Sequence, residues 1–319
     1  MAAILPNHDY SFDTFMVIVN PASSNGRTRR CWPKIAYLLK EEGISFNYQF
    51  TAGEEDATHL TREALQNGYR QILAVGGDGT INEVLNGFFD AKGKLLNSEA
   101  VLSMICMGTG SDLARSLKTL PRNLEQSIKR LKRGEVLTLD AGKVVYNNGK
   151  KTPAKRFFLN VAGMGLDGDT VKRINGTTKL GGCFLSFLWG ALASLLLHRP
   201  KRMKIEIDGE EVMDRSLHIV VVANGQYFGG GMMIAPEASL EDGYFNIVTV
   251  DAMNKILLLL KLIKVYRGTH IGDSRVQYFK GRNMMVTSPE CVLLEVDGEQ
   301  PGVTDVQVQN LPASVKVKI

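Results

Sequence analysis

The N-terminal part of the chain alternates short apolar runs with segments of helical spacing. The apolar or alternating runs predict strands at 16–19, 44–50, 72–75 and 103–107. Between them, apolar residues recur every three or four positions over 27–42 and 54–67, which predicts helices that end near Gly43 and Gly68. Strands that alternate with helices are typical of an α/β domain with a parallel sheet, where ligands bind beyond the carboxyl ends of the strands.

The loop at residues 76–79 follows one of these strands and contains three glycines and Asp78. Thr80 and Glu83 stand in the Thr-x-x-Glu relation of a capping box, which predicts a helix that begins at Thr80. Because glycine lets a backbone approach a ligand and a helix N-terminus attracts anions, the loop predicts a phosphate site. A carboxylate such as Asp78 fits among phosphates when a cation lies between them. An ordinary strand-to-helix turn is the alternative.

Two further strand ends carry small polar loops. Residues 20–26 follow the first strand, and residues 108–110 follow the strand at 103–107, with Ser111 and Asp112 at the start of the next helix. Since the carboxyl ends of parallel strands lie along one edge of a sheet, all three loops are expected to converge there. Stabilisation of the helix dipole is the alternative role for Asp112.

After residue 139 the pattern becomes β-rich. Three dipeptides typical of hairpin turns separate apolar or alternating runs: Asn148-Gly149, Asp208-Gly209 and Asp242-Gly243. Runs at 217–223 and 244–250 predict strands. We therefore expect an α/β domain over 15–140, a β-rich domain over 141–304, and a loose leader over 1–14 that does not read as a secretion signal.

Two long apolar segments allow more than one interpretation. Residues 180–197 form an uncharged run near the lower length limit for a membrane span. A buried or groove-lining helix is the first interpretation and an interfacial membrane element the second. A span is the third, because it would place the two halves of one site on opposite sides of a bilayer. Residues 256–265 predict another apolar helix, for which packing in the core is the default.

Composition and charge narrow the function classes. The 319 residues are 44% hydrophobic and 22% charged, which fits a two-domain globular protein, and the net charge of +5 permits anionic partners without requiring them. Four cysteines lie far apart without the spacing of metal ligands, which favours a reducing compartment. The glycine loops lack the Gly-Lys-Ser/Thr of a P-loop. Gly163-x-Gly165-x-x-Gly168 lies where the β-rich part begins, which disfavours a Rossmann site.

Five motifs, in this order, resemble those of the diacylglycerol kinase catalytic-domain family, and most closely its soluble bacterial lipid kinases. The motifs are Asn20-Pro21, Gly76-Gly77-Asp78-Gly79-Thr80-x-Asn82-Glu83, Gly108-Thr109-Gly110-Ser111-Asp112-Leu113-Ala114-Arg115, Leu240-Glu241-Asp242-Gly243-Tyr244 and Val296-Asp297-Gly298-Glu299. NAD kinases share the Gly-Gly-Asp-Gly-Thr element, but there Asn-Glu does not follow it directly. At Ser111 the family more often has asparagine, so any contact that depends on that amide is in doubt.

The resemblance implies an ATP and lipid cleft between two domains. The first is an α/β domain with a parallel sheet, like that of NAD and diacylglycerol kinases, and the second an all-β, sandwich-like domain, with residues 305–319 returning to the first. The residues implied to contact ATP are Asn20, Pro21, Ala22, Ser23, Ser24, Thr51, Gly77, Asp78, Gly79, Thr80, Ile81, Asn82, Glu83, Thr109 and Glu299. For Glu83, helix capping alone is the alternative.

The resemblance also implies two magnesium sites. Asp78 and Asp112 would hold the catalytic Mg²⁺, in part through water. Ser239, Asp242 and Tyr244 match the positions that bind a structural Mg²⁺ in bacterial members. For Asp242, an Asp-Gly hairpin turn is the alternative role.

Asp297 matches the general base of the family, which takes the proton of the lipid hydroxyl. Taken alone, Asp297-Gly298 after an apolar strand is equally an ordinary hairpin turn. Phosphoryl transfer asks a protein mainly to position the reacting groups and to neutralise charge, so a single carboxylate near the acceptor hydroxyl is sufficient.

The leading hypothesis is an ATP- and Mg²⁺-dependent lipid kinase that converts diacylglycerol to phosphatidic acid. A kinase of phosphatidylglycerol, a sphingoid base or NAD is the nearest alternative, and a non-catalytic, nucleotide-gated lipid-binding protein is the alternative of another class. Basic groups beside the apolar segments predict that a cytoplasmic protein contacts anionic membranes transiently. A homodimer is compatible with the resemblance, and no nucleic-acid partner is expected.

Overall fold

The computed structural model of the chain describes residues 13–108, 110–119, 123–149, 152–170 and 197–319. The helices are α1 (Arg27–Glu41), α2 (Asp56–Gln66), α3 (Asp78–Gly87), α4 (Asp112–Ser116), α5 (Leu124–Arg133) and α6 (Lys255–Tyr266). The strands are β1 (Phe15–Val19), β2 (Phe46–Phe50), β3 (Gln71–Gly76), β4 (Val101–Cys106), β5 (Val136–Asn147), β6 (Ala154–Phe158), β7 (Val161–Gly165), β8 (Lys201–Ile207), β9 (Glu210–Ala223), β10 (Tyr227–Phe228), β11 (Met232–Met233), β12 (Phe245–Asp251), β13 (Val276–Gly281), β14 (Asn283–Thr287), β15 (Leu293–Val296) and β16 (Glu299–Lys318).

The N-terminal part is mixed α/β, as the sequence predicts. Strands β2 and β3 pair in parallel with β1 on its two sides, and β4 pairs in parallel with β3. Successive residues of β1 enter different cores: Ile18 packs with residues of α2 and α3, whereas Val17 packs with residues of α1 and α5. The helices thus cover both faces of these strands, and the carboxyl ends of the strands stay free to carry loops.

The C-terminal part is β-rich, and two long strands connect it to the first. Strand β16 pairs with β5 along most of its length, and its last residues pair in parallel with Val101 and Leu102 of β4. Within β5, the Asp140 carboxylate accepts hydrogen bonds from the backbone N–H groups of Gly243 (2.6 Å) and Ala313 (2.8 Å). Because β5 runs through residue 140 without a break, the domain boundary placed there stays a prediction.

Two of the three predicted hairpins are present. Asn148-Gly149 lies between β5 and β6, and Asp208-Gly209 joins β8 to β9 with φ angles of +50° and +90°, which suit a type I′ turn. The hairpin predicted at Asp242-Gly243 is wrong, because residues 234–244 contain no strand. There the Gly243 N–H donates to Asp140 instead of to a partner strand.

The capping box predicted at the start of α3 is also wrong. The helix begins two residues earlier, at Asp78, and no side chain caps it. The Thr80 hydroxyl accepts a hydrogen bond from Asn20 Nδ2 (2.9 Å). The Glu83 carboxylate accepts from two backbone N–H groups at the start of α2 (3.1 and 3.2 Å). Glu83 therefore caps a neighbouring helix, which local spacing could not indicate.

The two apolar segments have different outcomes. The segment 180–197 lies outside the described residues except for Leu197, which is exposed. The helix predicted at 256–265 forms as α6, but the expectation that it packs in the core is wrong for most of its side chains, since Leu258 is its buried residue. In the described part of the chain no helix combines the length and the apolar character that a membrane crossing needs.

Candidate active site

The three predicted loops meet at one edge of the sheet. A Cβ atom placed on Gly108 would lie 3.0 Å from the Gly77 Cα, and one placed on Gly77 would lie 3.5 Å from the Ser23 Oγ. The loop after β4 also joins β3 directly, through a hydrogen bond from the Met107 N–H to the Gly76 carbonyl (2.7 Å). The convergence expected from the sequence is confirmed, and at Gly108 the contact is close enough that a side chain would push against the backbone of Gly77.

Side chains of the first loop hold it against the other two. Besides its bond to Thr80, Asn20 accepts hydrogen bonds from the backbone N–H groups of Ala22 (3.0 Å) and Ser23 (3.2 Å) through its Oδ1. The Ser24 hydroxyl donates to the Met107 carbonyl (2.5 Å). Pro21 lies in the same turn. The loop is therefore fixed as a rim around the N-terminus of α3, where the first N–H groups have no partner within the helix.

Three other predicted nucleotide contacts occupy different positions around this rim. A Cβ atom placed on Gly79 would lie 2.5 Å from the Glu299 Oε1, so Glu299 of β16 lies against the first turn of α3. Thr51 is buried at the end of β2, where its N–H donates to the Val19 carbonyl (2.9 Å). The Ile81 side chain lies in the core, so that only its backbone is available to a ligand. Thr109 lies outside the described residues.

Asp78 and Asp112 face each other across Gly110. A Cβ atom placed on Gly110 would lie 2.7 Å from the Asp78 Oδ2 and 3.7 Å from the Asp112 Oδ2. Each of these Oδ2 atoms accepts one backbone hydrogen bond, Asp78 from Ser111 (2.9 Å) and Asp112 from Gly230 (2.8 Å). Each Oδ1 atom is buried and has no hydrogen-bond partner in the described structure. The Asp78 Oδ1 thus lies unsatisfied beside the loop at residues 76–79, whereas the Asp112 Oδ1 lies 3.7 Å from the Arg115 Nε.

Burial and mutual repulsion disfavour the charged forms of this pair. Burial, together with the charge of Asp112, raises the pKa of Asp78 to about 6, and burial also raises the pKa of Asp112. A cation would relieve both effects. Mg²⁺ is commonly held by one or two carboxylates and by substrate phosphates, so these two residues fit it. In the described ranges no group of three or more His, Cys, Asp or Glu side chains is arranged to hold a metal ion. An ion at Asp78 and Asp112 would therefore also need the substrate phosphates as ligands.

The helix at Asp112 does not use Ser111 as a side-chain cap. Ser111 adopts a φ of +51°, and its hydroxyl donates to the Gly108 carbonyl (3.3 Å). The serine hydroxyl therefore contacts the glycine loop and not the free N–H groups of the helix. Arg115, one turn later, donates from Nε to the Gly110 carbonyl (3.2 Å).

Asp297 is both a turn residue and a buried carboxylate. With Gly298 it forms the turn between β15 and β16, with φ angles of +47° and +92°. Its Oδ2 accepts hydrogen bonds from Asn82 Nδ2 (3.0 Å) and the Leu159 N–H (3.1 Å). Its Oδ1 accepts from the N–H groups of residues 160 (3.2 Å) and 161 (2.9 Å). Burial raises the pKa of Asp297, and these donors oppose that rise.

The residues assigned to a structural Mg²⁺ lie together but have other partners. The Asp242 Oδ2 lies 2.8 Å from the Lys280 ammonium, and its Oδ1 accepts the Tyr244 N–H (3.0 Å). The Ser239 hydroxyl accepts the N–H of residue 241 (3.4 Å). With a lysine already neutralising the carboxylate, this arrangement does not favour a cation, and the metal assignment stays a prediction.

Sequence reasoning missed two features of this site. Arg156 of β6 donates from Nε to the Asn82 Oδ1 (2.7 Å) and so holds the amide that contacts Asp297. Asp167 and Glu295 form a buried acidic pair. Burial raises the pKa of Asp167 to about 6, and burial and the Asp167 charge raise the pKa of Glu295 well above its ordinary value.

The glycines around Asp167 explain the dinucleotide-like fingerprint. A Cβ atom on Gly163 would lie 2.0 Å from the Asp167 Oδ2, and one on Gly168 would lie 2.5 Å from the Leu293 carbonyl. Gly165 has a φ of +99° and packs against the backbone of β9. These glycines therefore make room for close strand packing and for a buried acid. In the sequence, the Gly-x-Gly-x-x-Gly spacing around Asp167 is the signal that could indicate this buried acid.

Two family models match the chain in sequence. The model described as the diacylglycerol kinase catalytic domain matches residues 14–144, and the one described as the YegS C-terminal NAD kinase beta sandwich-like domain matches residues 160–319. The chain is 29% identical over 309 residues to a diacylglycerol kinase of Bacillus subtilis, with 94% of each chain covered. It is 27% identical over 302 residues to a diacylglycerol kinase of Staphylococcus carnosus, covering 94% of this chain and 93% of that protein.

Solved structures share the fold. A crystal structure of a diacylglycerol kinase from Bacillus anthracis superimposes with a TM-score of 0.69 at 22% identity, covering 97% of each chain. The structure of yeast NADH kinase with NADH superimposes with a TM-score of 0.55 at 12% identity, covering 95% of this chain and 82% of that one. The common architecture is a mixed α/β N-terminal part followed by a β-rich C-terminal part.

Proposed function

The chain belongs to the diacylglycerol kinase catalytic-domain family, and we propose that it is an ATP-dependent lipid kinase. It transfers the γ-phosphate to a lipid hydroxyl, with diacylglycerol as the acceptor and phosphatidic acid as the product. The names of the similar Bacillus and Staphylococcus proteins support this assignment. The finer architecture that we propose is a parallel-sheet nucleotide domain at 15–140 and a sandwich-like lipid domain at 141–304, with 305–319 returning to the first.

The observation that carries the proposal is the meeting of Asp78, Asp112 and Asp297 around the start of α3. Asp78 opens this helix, and Asn82, one turn later, donates to Asp297 from the C-terminal part. The charge of Asp297 contributes to the raised pKa of Asp78, which indicates that the two carboxylates are close. We therefore assign the phosphate loop, the two facing acids Asp78 and Asp112, and the third acid to one site.

ATP binds with its phosphates at the N-terminus of α3 and the rim formed by residues 20–24. Backbone N–H groups and the positive end of the helix dipole attract the phosphates there. Asp78, whose Oδ1 has no hydrogen-bond partner, and Asp112, which also pairs with Arg115, would hold Mg²⁺. When bound, the ion neutralises charge on the transferring phosphoryl group. Glu299, against Gly79, borders the same pocket.

In the transfer step the lipid hydroxyl oxygen forms a bond to the γ-phosphorus, and the bond from that phosphorus to the leaving ADP oxygen breaks. Asp297 takes the hydroxyl proton. A carboxylate offers about four acceptor positions, and four N–H groups already point at this one. The incoming hydroxyl must therefore displace a donor, and Asn82 is the donor that belongs to a side chain rather than to the backbone.

A panel assay with radiolabelled ATP tests the proposal. Purified protein is incubated with Mg²⁺ and, separately, diacylglycerol, phosphatidylglycerol, sphingosine and NAD. We expect label to enter diacylglycerol and ADP to be released only when an acceptor is present. An Asp297→Asn variant keeps the size of the side chain, and we expect it to bind ATP but to transfer phosphate at least about 10²-fold more slowly.

The other acceptors give results that contradict parts of the proposal. Label in phosphatidylglycerol or sphingosine but not in diacylglycerol would leave a lipid kinase with a different substrate. Label in NAD alone would overturn the lipid assignment. Saturable binding of ATP and lipid without label in any acceptor would indicate a nucleotide-gated lipid-binding protein.

A further inference from the structure

Helix α6 exposes large apolar side chains along one stripe. Ile256 is 75% exposed, Leu260 56% and Ile263 58%, and Leu259 and Tyr266 are 41% and 52% exposed. These residues are three or four positions apart, so they lie on one face of the helix. On an ordinary surface helix the outward face is polar. The outward face of α6 is therefore built for an apolar environment.

The opposite face of α6 attaches the helix to the protein. Leu258 is buried and Val265 packs against the same core cluster, which lies over β9 and β12. Lys261 forms an ion pair with Asp273. Because this inward face already accounts for the attachment of the helix, the exposed stripe is not required for packing against the residues that the structure describes.

Basic residues border the exposed stripe. Lys255 and Lys264 are exposed on its two sides and Arg267 is exposed at its end, and α6 contains no acidic residue. Within the described ranges, no ion pair engages any of these three cations. Lysine and arginine beside an apolar helical stripe let the stems follow the apolar surface while the charges reach lipid phosphates. The charge pattern therefore matches an anionic bilayer.

The apolar and basic surface continues at the beginning of α6. The His218 ring contacts the Met253 carbonyl (2.9 Å), directly before the helix cap, and lies 5.5 Å from the His198 ring. Leu197 next to His198 is 63% exposed, and Arg199 follows it. A further exposed leucine and a cation thus flank His198, which packs near the N-terminal end of α6.

We propose that α6 is a membrane-docking helix that lies in the interface of an anionic bilayer. Ile256, Leu260 and Ile263 enter the acyl boundary, while Lys255 and Lys264 contact lipid phosphates. The inference rests on the proposed lipid kinase function, because docking brings the cleft to a substrate that stays in the bilayer. It goes beyond that function by assigning the contact to one helix of the β-rich part.

Vesicle sedimentation tests the docking helix. The protein is mixed with vesicles of phosphatidylcholine alone, or with about one third phosphatidylglycerol, at low and high salt. We expect a Leu260→Glu/Ile263→Glu variant to bind the anionic vesicles at least about tenfold more weakly than the unchanged protein. Tyr37, 60% exposed on α1, provides the control: Tyr37→Glu adds the same kind of charge and should leave binding unchanged. Lys255→Gln should weaken binding to the anionic vesicles alone, by about fivefold.

Activity with a short-chain diacylglycerol that dissolves as a monomer separates docking from catalysis. The double variant should phosphorylate this acceptor as fast as the unchanged protein and lose activity on vesicle-borne diacylglycerol. Unchanged vesicle binding by the double variant would overturn the proposal. The proposal would also be overturned if neither protein bound vesicles and the unchanged protein formed a dimer that became a monomer in the double variant. Weakened vesicle binding with no transfer to any lipid would support the docking helix and contradict the kinase function.

Discussion

Replacing Asp78 with asparagine should stabilise the metal-free protein and abolish its response to Mg²⁺ and ATP. The Asp78 Oδ1 is buried without a partner, and its Oδ2 accepts the Ser111 N–H. Asparagine has nearly the same shape, and its carbonyl oxygen can keep the bond to Ser111. The substitution therefore removes a poorly solvated charge while it preserves the packing of the loop.

The expected gain follows from the pKa of Asp78. A rise from 3.8 to about 6 means that folding with Asp78 charged is about 3 kcal/mol less favourable than folding with Asp78 protonated. The side chain keeps partial contact with solvent, which lowers the expectation to about 1–3 kcal/mol. Since the pKa is raised in the folded state, the stability that protonation contributes is present at low pH and is lost as the pH rises through about 6. The gain from Asp78→Asn should therefore be largest above that pH.

Urea denaturation after chelation measures this effect. The two proteins are compared above neutral pH and again near pH 5, about one unit below the pKa of Asp78. We expect the variant to be the more stable at the higher pH and the difference to shrink at the lower one. With Mg²⁺ and a non-hydrolysable ATP analogue, only the unchanged protein should gain stability. A variant that is no more stable than the unchanged protein at the higher pH would refute the reasoning.

Three further outcomes are expected. Asn82→Ala removes a hydrogen-bond donor from the Asp297 carboxylate, which raises the pKa of Asp297. The acidic limb of the pH–activity profile should therefore move to higher pH, and an unmoved limb would contradict the role of Asp297. Gly163→Ala brings a Cβ within 2.0 Å of the Asp167 Oδ2 and should lower the free energy of unfolding, measured by urea denaturation, by about 1–3 kcal/mol. Chelation should abolish phosphate transfer, and added Mg²⁺ but not Ca²⁺ should restore it.

Local patterns in the sequence predicted the elements that make the phosphate loop. Strands such as β3 are short and buried on both faces, so an uninterrupted apolar run marks them. Glycine then suits the loop that follows, because at Gly108 a Cβ atom would lie only 3.0 Å from the Gly77 Cα. The meeting of the three loops could be expected as well, because parallel strands end at the same edge.

Contacts between distant segments could not be read from such patterns. Glu83 has the spacing of a local cap, yet it caps α2, because the choice between the two helices depends on how they pack. Asp167 and Glu295 come together only through the pairing of β7 with β15. For α6 the spacing of apolar residues is the same whether they contact a core or a bilayer. Only the structure shows that most of these side chains are exposed.

The pairing of β16 with β4 has a consequence for how the protein is made. On the side away from β3, Val101 and Leu102 pair with Lys316 and Val317, which are synthesised long after β4. Until then β4 presents an open edge, although the rest of the first sheet has long been synthesised. The first sheet thus cannot be completed until β16 has been synthesised, and substitutions that prevent this pairing should favour aggregation of the whole chain rather than a local defect.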